Sequence, residues 1–277
     1  MQYSHSMKVP PVVLSIAGYD PSSGAGVTAD IKTAAAQGCY AVTCITALTV
    51  QSSQGVFAVV PLERDYVMRS LEALAQDVEI AAVRVGMLGS AAVASTVARA
   101  LTALDLRNIV LDPVLQSSSG AVLLDEPGPQ VLREELLPLA DVITPNVEEA
   151  AVLTGIEAEP ADRPWEDVLP WLRMAAAKLH SLGSRAVVIT GGHLPEANDY
   201  LSCLDNGTLR EEIFTGSHLE SRSTHGTGCA FATSIACQLA LGQKLPQAVR
   251  AAKEYVRKAV ESAYPMGKGA GPINHMV

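Results

Sequence analysis

Short runs rich in Val, Ile and Leu alternate along the chain with stretches whose apolar residues recur every three or four positions. Val12-Val-Leu-Ser-Ile-Ala17 reads as a buried strand, and a Gly/Ser-rich turn leads from it into a helix over about residues 26–37. Further strands are predicted at 42–50, 56–60, 82–85, 109–111, 142–143 and 186–189. Between them, helices are predicted at 63–77, 91–104, 129–137, 147–153 and 165–182; in the first, Val67, Leu71 and Leu74 have helical spacing. This alternation predicts an α/β fold with a doubly wound, mostly parallel central sheet, right-handed crossovers and flanking helices. Residues 200–214 depart from it. There Leu201-Ser-Cys-Leu204 and Glu212-Ile-Phe214 flank Asn206-Gly207, which is the pattern of a small antiparallel hairpin. Two helices, about 226–241 and 246–263, follow. Residues 1–8 are expected to form a flexible tail, with Met7 an alternative start, and residues 9–277 a single domain. The acidic loop at 157–163 is too short for a domain linker.

Composition narrows the functions open to such a fold. The 277 residues are 48% hydrophobic and 18% charged, which supports a sizeable core and excludes disorder as a description of the whole chain. The balance of 20 basic against 29 acidic residues, a net charge of -9, repels nucleic-acid backbones and anionic lipid. Neither nucleic acid nor membrane is therefore an expected partner, and a small anion needs a local positive site. The five cysteines include no C-x-x-C pair, which fits a reducing cytoplasm and offers no zinc spacing. Pro10 and Pro11 interrupt the apolar run near the start and Gly18 ends it, so it reads as a strand rather than a signal core.

The polar and glycine-rich sequences fall where the predicted strands end, which is where open α/β sheets bind ligands. They are Gly18-Tyr-Asp-Pro-Ser-Ser-Gly-Ala-Gly26, Gly86-Met-Leu88, Asp112-Pro-Val114, Thr144-Pro-Asn-Val-Glu-Glu149, Thr190-Gly-Gly-His193 and His225-Gly-Thr-Gly-Cys229. No G-x-x-x-x-G-K-S/T is present, and no G-x-G-x-x-G follows a strand. A phosphate site must be built another way. Gly226-Thr-Gly-Cys229 directly precedes a small-residue helix, whose free N–H groups and positive end suit a phosphoryl group; an ordinary glycine turn capping a buried helix has the same pattern.

Taken together these motifs resemble the hydroxymethylpyrimidine/phosphomethylpyrimidine kinases, thiamine-pathway enzymes of the ribokinase-like superfamily. The resemblance runs from Ala17-Gly-Tyr-Asp-Pro-Ser-Ser-Gly-Ala-Gly-Val-Thr-Ala-Asp-Ile-Lys-Thr33 to Gly271-Pro-Ile-Asn-His275, with the motifs in the family's order. It implies transfer of the γ-phosphate of ATP, with Mg²⁺, to 4-amino-5-hydroxymethyl-2-methylpyrimidine and then to its monophosphate, by a cytoplasmic homodimer. By the same resemblance Asp30 and Gln51 hydrogen-bond the pyrimidine, Gly18 lies on the substrate side, and Met87 and Val114 contact the ring. An amide such as Gln51 both donates and accepts, as an aminopyrimidine edge requires. Asn146, Thr190, Gly192 and Thr224 fall on the nucleotide side, and Asp112 and Glu149 would stand near Mg²⁺. Each has a plainer reading: Asp30 a solvent-facing helix acid, Gln51 a loop glutamine, Met87 and Val114 packing residues, Asp112 a cap before Pro113.

The resemblance also assigns the catalytic turn to Gly226, Thr227, Gly228 and Cys229. Most ribokinase-like enzymes carry Asp where this chain has Cys229, so a thiol is the candidate base, activated by a helix N-terminus that lowers its pKa; a small buried residue is the alternative. In Gln116-Ser-Ser-Ser-Gly120 the basic residue of many relatives is missing. His225 reads best as a loop histidine, and Trp165 and Trp171 as packing. Pyridoxal kinase activity and a non-catalytic pyrimidine or nucleotide sensor remain open alternatives.

Overall fold

In the computed structural model, residues 9–158, 163–205 and 208–277 are described. The expected tail at 1–8, the Asn206-Gly207 turn and the centre of the 157–163 loop lie outside the described residues. Nine strands form one sheet: β1 (Val12–Tyr19), β2 (Tyr40–Ser52), β3 (Gly55–Pro61), β4 (Ile80–Val85), β5 (Ile109–Leu111), β6 (Val142–Ile143), β7 (Ala186–Ile189), β8 (Asp199–Asp205) and β9 (Thr208–Phe214). The helices are α1 (Gly26–Ala36), α2 (Arg64–Asp77), α3 (Ala91–Ala103), α4 (Gly128–Val131), α5 (Val147–Thr154), α6 (Trp165–Ser181), α7 (Thr227–Ala240) and α8 (Leu245–Glu261).

The strand order is β3-β2-β1-β4-β5-β6-β7-β8-β9. From β2 to β7 the pairings are parallel, while β3 and the β8–β9 hairpin add antiparallel edges. The expected doubly wound sheet is thus present, and so is the hairpin. The antiparallel β2–β3 pair was not foreseen as a hairpin. Order reverses between β1 and β4, and the strand ends diverge there to open a crevice.

Central strands are buried on both faces, which is why β1 is apolar at consecutive positions rather than alternating. One face packs against α2, α3 and α6, with Leu71, Val97, Trp171 and Leu172 in the main apolar cluster. The two tryptophans pack in this core as expected. The other face packs against α7 and α8, where Phe231, Ile235, Val249 and Ala252 are buried. In α8 the buried residues Ala248, Val249, Ala252, Tyr255 and Ala259 recur at helical spacing, which fixes the face it presents.

Capping sets where the elements begin. Ser90 accepts from Val93 N at 3.3 Å at the start of α3. Asn146 and Glu149 form a reciprocal capping box on α5, with bonds of 2.8 and 2.9 Å. The helix expected over 129–137 is α-helical only through Val131; a π turn over Leu132–Leu136 and a 3-10 turn over Leu137–Leu139 complete it. Pro138 has no N–H to continue the helical ladder, so tightening there ends the segment.

Candidate active site

A single cleft of about 1150 Å³ lies at the strand ends around the β1/β4 switch point. Gly18, Gln51, Met87, Asp112, Val114, Asn146, Glu149, Thr190, Gly192, Thr224 and the whole 226–229 turn line it. Residues up to 211 positions apart in sequence, from Gly18 to Cys229, thereby come to one place.

At one end, Gly226 starts α7 with φ 88°, a left-handed conformation that glycine adopts without strain. A Cβ on it would stand 1.8 Å from the Gly24 carbonyl oxygen, so the 20–26 loop is seated directly on the turn. Gly228, by contrast, has open space where a Cβ would be. The first N–H groups of α7 have no intrahelical acceptor and carry the helix's positive end, so an anion at Gly228 meets donors and charge together.

The opposite wall is apolar: Met87, Val114, Leu123 and Val56 pack in one small cluster, with Met87 against Gly18. Gln51, near the tip of the β2–β3 hairpin, is the polar group of this wall. Its Oε1 accepts from Thr49 Oγ1 at 3.1 Å and its Nε2 stands 3.1 Å from His225 Nε2. The same His225 nitrogen lies 2.9 Å from Asp20 Oδ2. Asp20 also accepts from the backbone N–H of Ser22, Gly24 and Ala25 at 2.8, 3.1 and 2.9 Å. Burial works to raise the Asp20 carboxyl, but the bonds from His225, Ser22 and Ala25 outweigh it and hold the group below the usual 3.8. His225 Nε2 carries the proton it donates to Asp20 and stands beside the Gln51 side chain, so this loop histidine sits between the β2–β3 hairpin and the 20–26 loop.

Asp30 needs a larger correction. It is fully buried on α1 and does not line the cleft. Its carboxylate accepts from Ser15 at 2.5 Å, from Thr233 at 2.7 Å and from Arg84 Nη1 at 3.2 Å. Arg84 Nη2 in turn donates to Asp112 at 2.6 Å. Ser15 and Arg84 are register partners across β1 and β4, so the ion cluster sits directly beneath the switch point. Burial alone would lower the Arg84 pKa, yet Asp30, Cys229 and Asp112 hold it above its usual value, and the guanidinium stays charged. A Cβ on Gly86 would lie 1.8 Å from Arg84 Nη1, so the Gly-Met-Leu motif leaves room for this side chain.

Sequence reasoning passed over Arg84 and Asp20. A lone charge in the apolar run Ala-Val-Arg-Val was a signal, because a buried charge needs a partner. Asp20-Pro-Ser-Ser has the pattern of an aspartate that accepts from the backbone two residues on.

Burial pushes the Cys229 thiol up to about 11, although Arg84 and the Gly26 N–H act to lower it. The expected lowering by the helix N-terminus is thus reversed, and the thiol is protonated at neutral pH. Asp112 is raised by burial, with Arg84 opposing and Asp30 adding. Glu149 is pushed up to about 8 by burial and by the negative charge of Asp112. These two carboxylates repel across the cleft, and a divalent cation would relieve that repulsion. They are hard oxygen donors, which is what Mg²⁺ takes alongside phosphate and water. Among the described residues no group of three His, Cys, Asp or Glu gathers as a self-sufficient metal site.

Residues 20–274 match the sequence profile of the phosphomethylpyrimidine kinase family. The chain belongs to that family. It is 41% identical over 266 residues to a hydroxymethylpyrimidine/phosphomethylpyrimidine kinase of Streptomyces coelicolor, covering 96% of this chain and 94% of the relative. Among solved structures it is similar to a phosphomethylpyrimidine kinase of Clostridium difficile, with TM-score 0.77, 33% identity and coverage of 90% and 99%. It is likewise similar to the ADP complex of Bacillus subtilis pyridoxal kinase, with TM-score 0.83, 32% identity and coverage of 96% and 97%. The ribokinase-like fold expected from the motifs is therefore the fold of the phosphomethylpyrimidine kinase family to which the chain belongs.

Proposed function

We propose that the protein is an ATP-dependent kinase of thiamine biosynthesis that phosphorylates 4-amino-5-hydroxymethyl-2-methylpyrimidine and then the resulting monophosphate. The observation that carries this reading is the shared cleft, which Gln51, an apolar cluster and the glycine turn at the N-terminus of α7 line together. In this reading the apolar wall of Met87 and Val114 would contact the face of a flat aminopyrimidine while Gln51 pairs with its ring edge. Its hydroxymethyl oxygen then points toward the 226–229 turn.

In the reaction the N–H groups of that turn hold the transferring phosphoryl and stabilise its charge as the bond to the leaving oxygen breaks. Transition states of this kind are loose, so placement and charge carry most of the rate. Asp112 and Glu149 would hold Mg²⁺, which supplies neutralisation of the phosphate charge. Asn146, Thr190, Gly192 and Thr224 would line the nucleotide end. Cys229 would serve as the base for the hydroxyl proton, with Arg84 offsetting part of the burial that raises its thiol. Residues 9–277 act as one kinase domain, in the cytoplasm and as a homodimer; the family membership and the absence of a C-x-x-C pair among the five cysteines support this.

A coupled ATP assay against the pyrimidine, its monophosphate and pyridoxal tests the reading. Turnover of both pyrimidines above that of pyridoxal is expected. Preference for pyridoxal would replace it by the vitamin B6 alternative.

A further inference from the structure

The Gly271-Pro-Ile-Asn-His275 motif has no part in the chemistry above, yet it runs along the back of the loops that build the cleft. Gly271 O accepts from His225 N at 3.1 Å, and Ile273 N donates to His225 O at 3.3 Å. Pro272 packs on Gly24, where a glycine Cβ would come within 3.2 Å of its ring. Ile273 is buried with Ala230, Tyr255 and Ala259, which anchors the segment to α7 and α8. His275 is 3% exposed; its Nε2 lies 3.2 Å from Gly24 O and its Nδ1 3.3 Å from Thr33 Oγ1. A carbonyl only accepts, so Nε2 carries a proton and donates it to Gly24 O. Tyr255 donates its hydroxyl to the His275 carbonyl at 2.8 Å.

Upstream, the same segment crosses the β2–β3 hairpin. Lys268 N and Gly269 N both donate to Ser53 Oγ, at 3.1 and 3.2 Å. Ser53 lies two residues beyond Gln51, so this contact holds the hairpin that carries the substrate-side amide. One stretch of chain thus grips the hairpin, the 20–26 loop and the residue before the phosphoryl turn.

We propose that residues 264–275 are a strap that sets the acceptor side of the cleft against the phosphoryl turn, with His275 as its main positioning residue. This deepens the phosphotransfer reading and rests on it for the identity of the acceptor. Loosening the strap should displace the 20–26 loop and Gln51 while leaving the nucleotide end and α7 in place.

The test compares His275→Leu, His275→Gln and Gly269→Ala with the unaltered protein. His275→Leu leaves the Gly24 carbonyl without its donor, and KM for the pyrimidine should rise about tenfold with kcat and KM for ATP changed by less than about threefold. His275→Gln keeps a donor for Gly24 and should recover most of the loss. In Gly269→Ala the new Cβ would meet Ser53 O at 2.0 Å, so the hairpin contact opens and KM for the pyrimidine alone should rise. Amide hydrogen exchange of the ligand-free protein should quicken at 20–26 in His275→Leu and at 51–55 in Gly269→Ala, with the central strands unchanged. If His275→Leu does not fold, the other two variants carry the same comparison. Equal rises in both KM values, or unchanged exchange at those segments, overturn the strap. If the unaltered protein ignores the pyrimidine while the variants still show the exchange pattern, the substrate reading alone is overturned.

Discussion

Arg84 and Asp112 meet through a hydrogen bond of 2.6 Å, and the guanidinium that makes it is fully buried beneath the cleft. The other end of that guanidinium faces Asp30 at 3.2 Å, so one cation serves two carboxylates, and Arg84 and Asp112 line the cleft while Asp30 does not. Asp30 thus acts on the site through Arg84.

Removing the cation should be costly. Arg84→Met leaves two buried carboxylates without a compensating cation, and a loss of about 3–5 kcal/mol in urea unfolding is expected. Arg84→Met combined with Asp30→Asn should lose less than Arg84→Met alone. Equal losses would mean that the two side chains do not share the charge.

On the substrate side, Gln51→Ala should weaken pyrimidine binding by ~1–3 kcal/mol and leave ATP binding nearly unchanged. Asp30→Ala should instead lower stability, because the fully buried carboxylate accepts from Ser15, Arg84 and Thr233, which would lose their acceptor. Calorimetry with each ligand, together with a melting curve, separates the two cases.

The glycines of the turn should differ in kind. Gly228→Val has room to fold and should lower kcat by about 10²–10³-fold, because its side chain occupies the place of the anion. Gly226→Val needs a left-handed valine and a clash with Gly24, so it should fail in stability first. Full turnover in a folded Gly228→Val protein would remove the turn from the mechanism.

Cys229 gives a pH-dependent prediction. With the thiol pushed up to about 11, a thiolate base makes kcat/KM climb from pH 7 to 9 without levelling. Cys229→Ser should lower kcat by about 10²–10⁴-fold and flatten that climb. Near-normal turnover in Cys229→Ala, with the climb intact, would leave the thiol a packing role only.

His275 should shape stability in acid. Burial lowers its pKa from 6.5 to about 4, with Lys32 and His225 adding repulsion against the Gly24 bond. Between those values the unfolded chain binds a proton that the folded chain refuses. Stability should therefore be complete above about pH 6.5 and fall toward pH 4, with a slope approaching about 1.4 kcal/mol per pH unit for this one group. Asp20, held below its usual value, adds a loss in the same direction at lower pH. In His275→Gln the slope between pH 6.5 and pH 4 should shrink by that amount.

The chain's local patterns determined most of the architecture. Consecutive buried positions in β1, helical spacing in α2 and α8, and the Asn146–Glu149 capping box are short-range signals, and each element formed within a few residues of its expected bounds. The glycine-rich strand ends also named the walls of the cleft, because turns that let a backbone approach an anion are written in adjacent residues. What the sequence could not decide was which side chains meet. Asp30 has the spacing of a helix acid near a ligand, and only the packing of α1 and α7 on β1 and β4 turned it inward onto Ser15, Arg84 and Thr233. The His225 contacts with Asp20 and Gln51 join residues 205 and 174 positions apart. The Cys229 thiol is raised by burial that no local motif records. Such contacts and desolvation arise only when distant segments close on one another, so tertiary structure alone decided them.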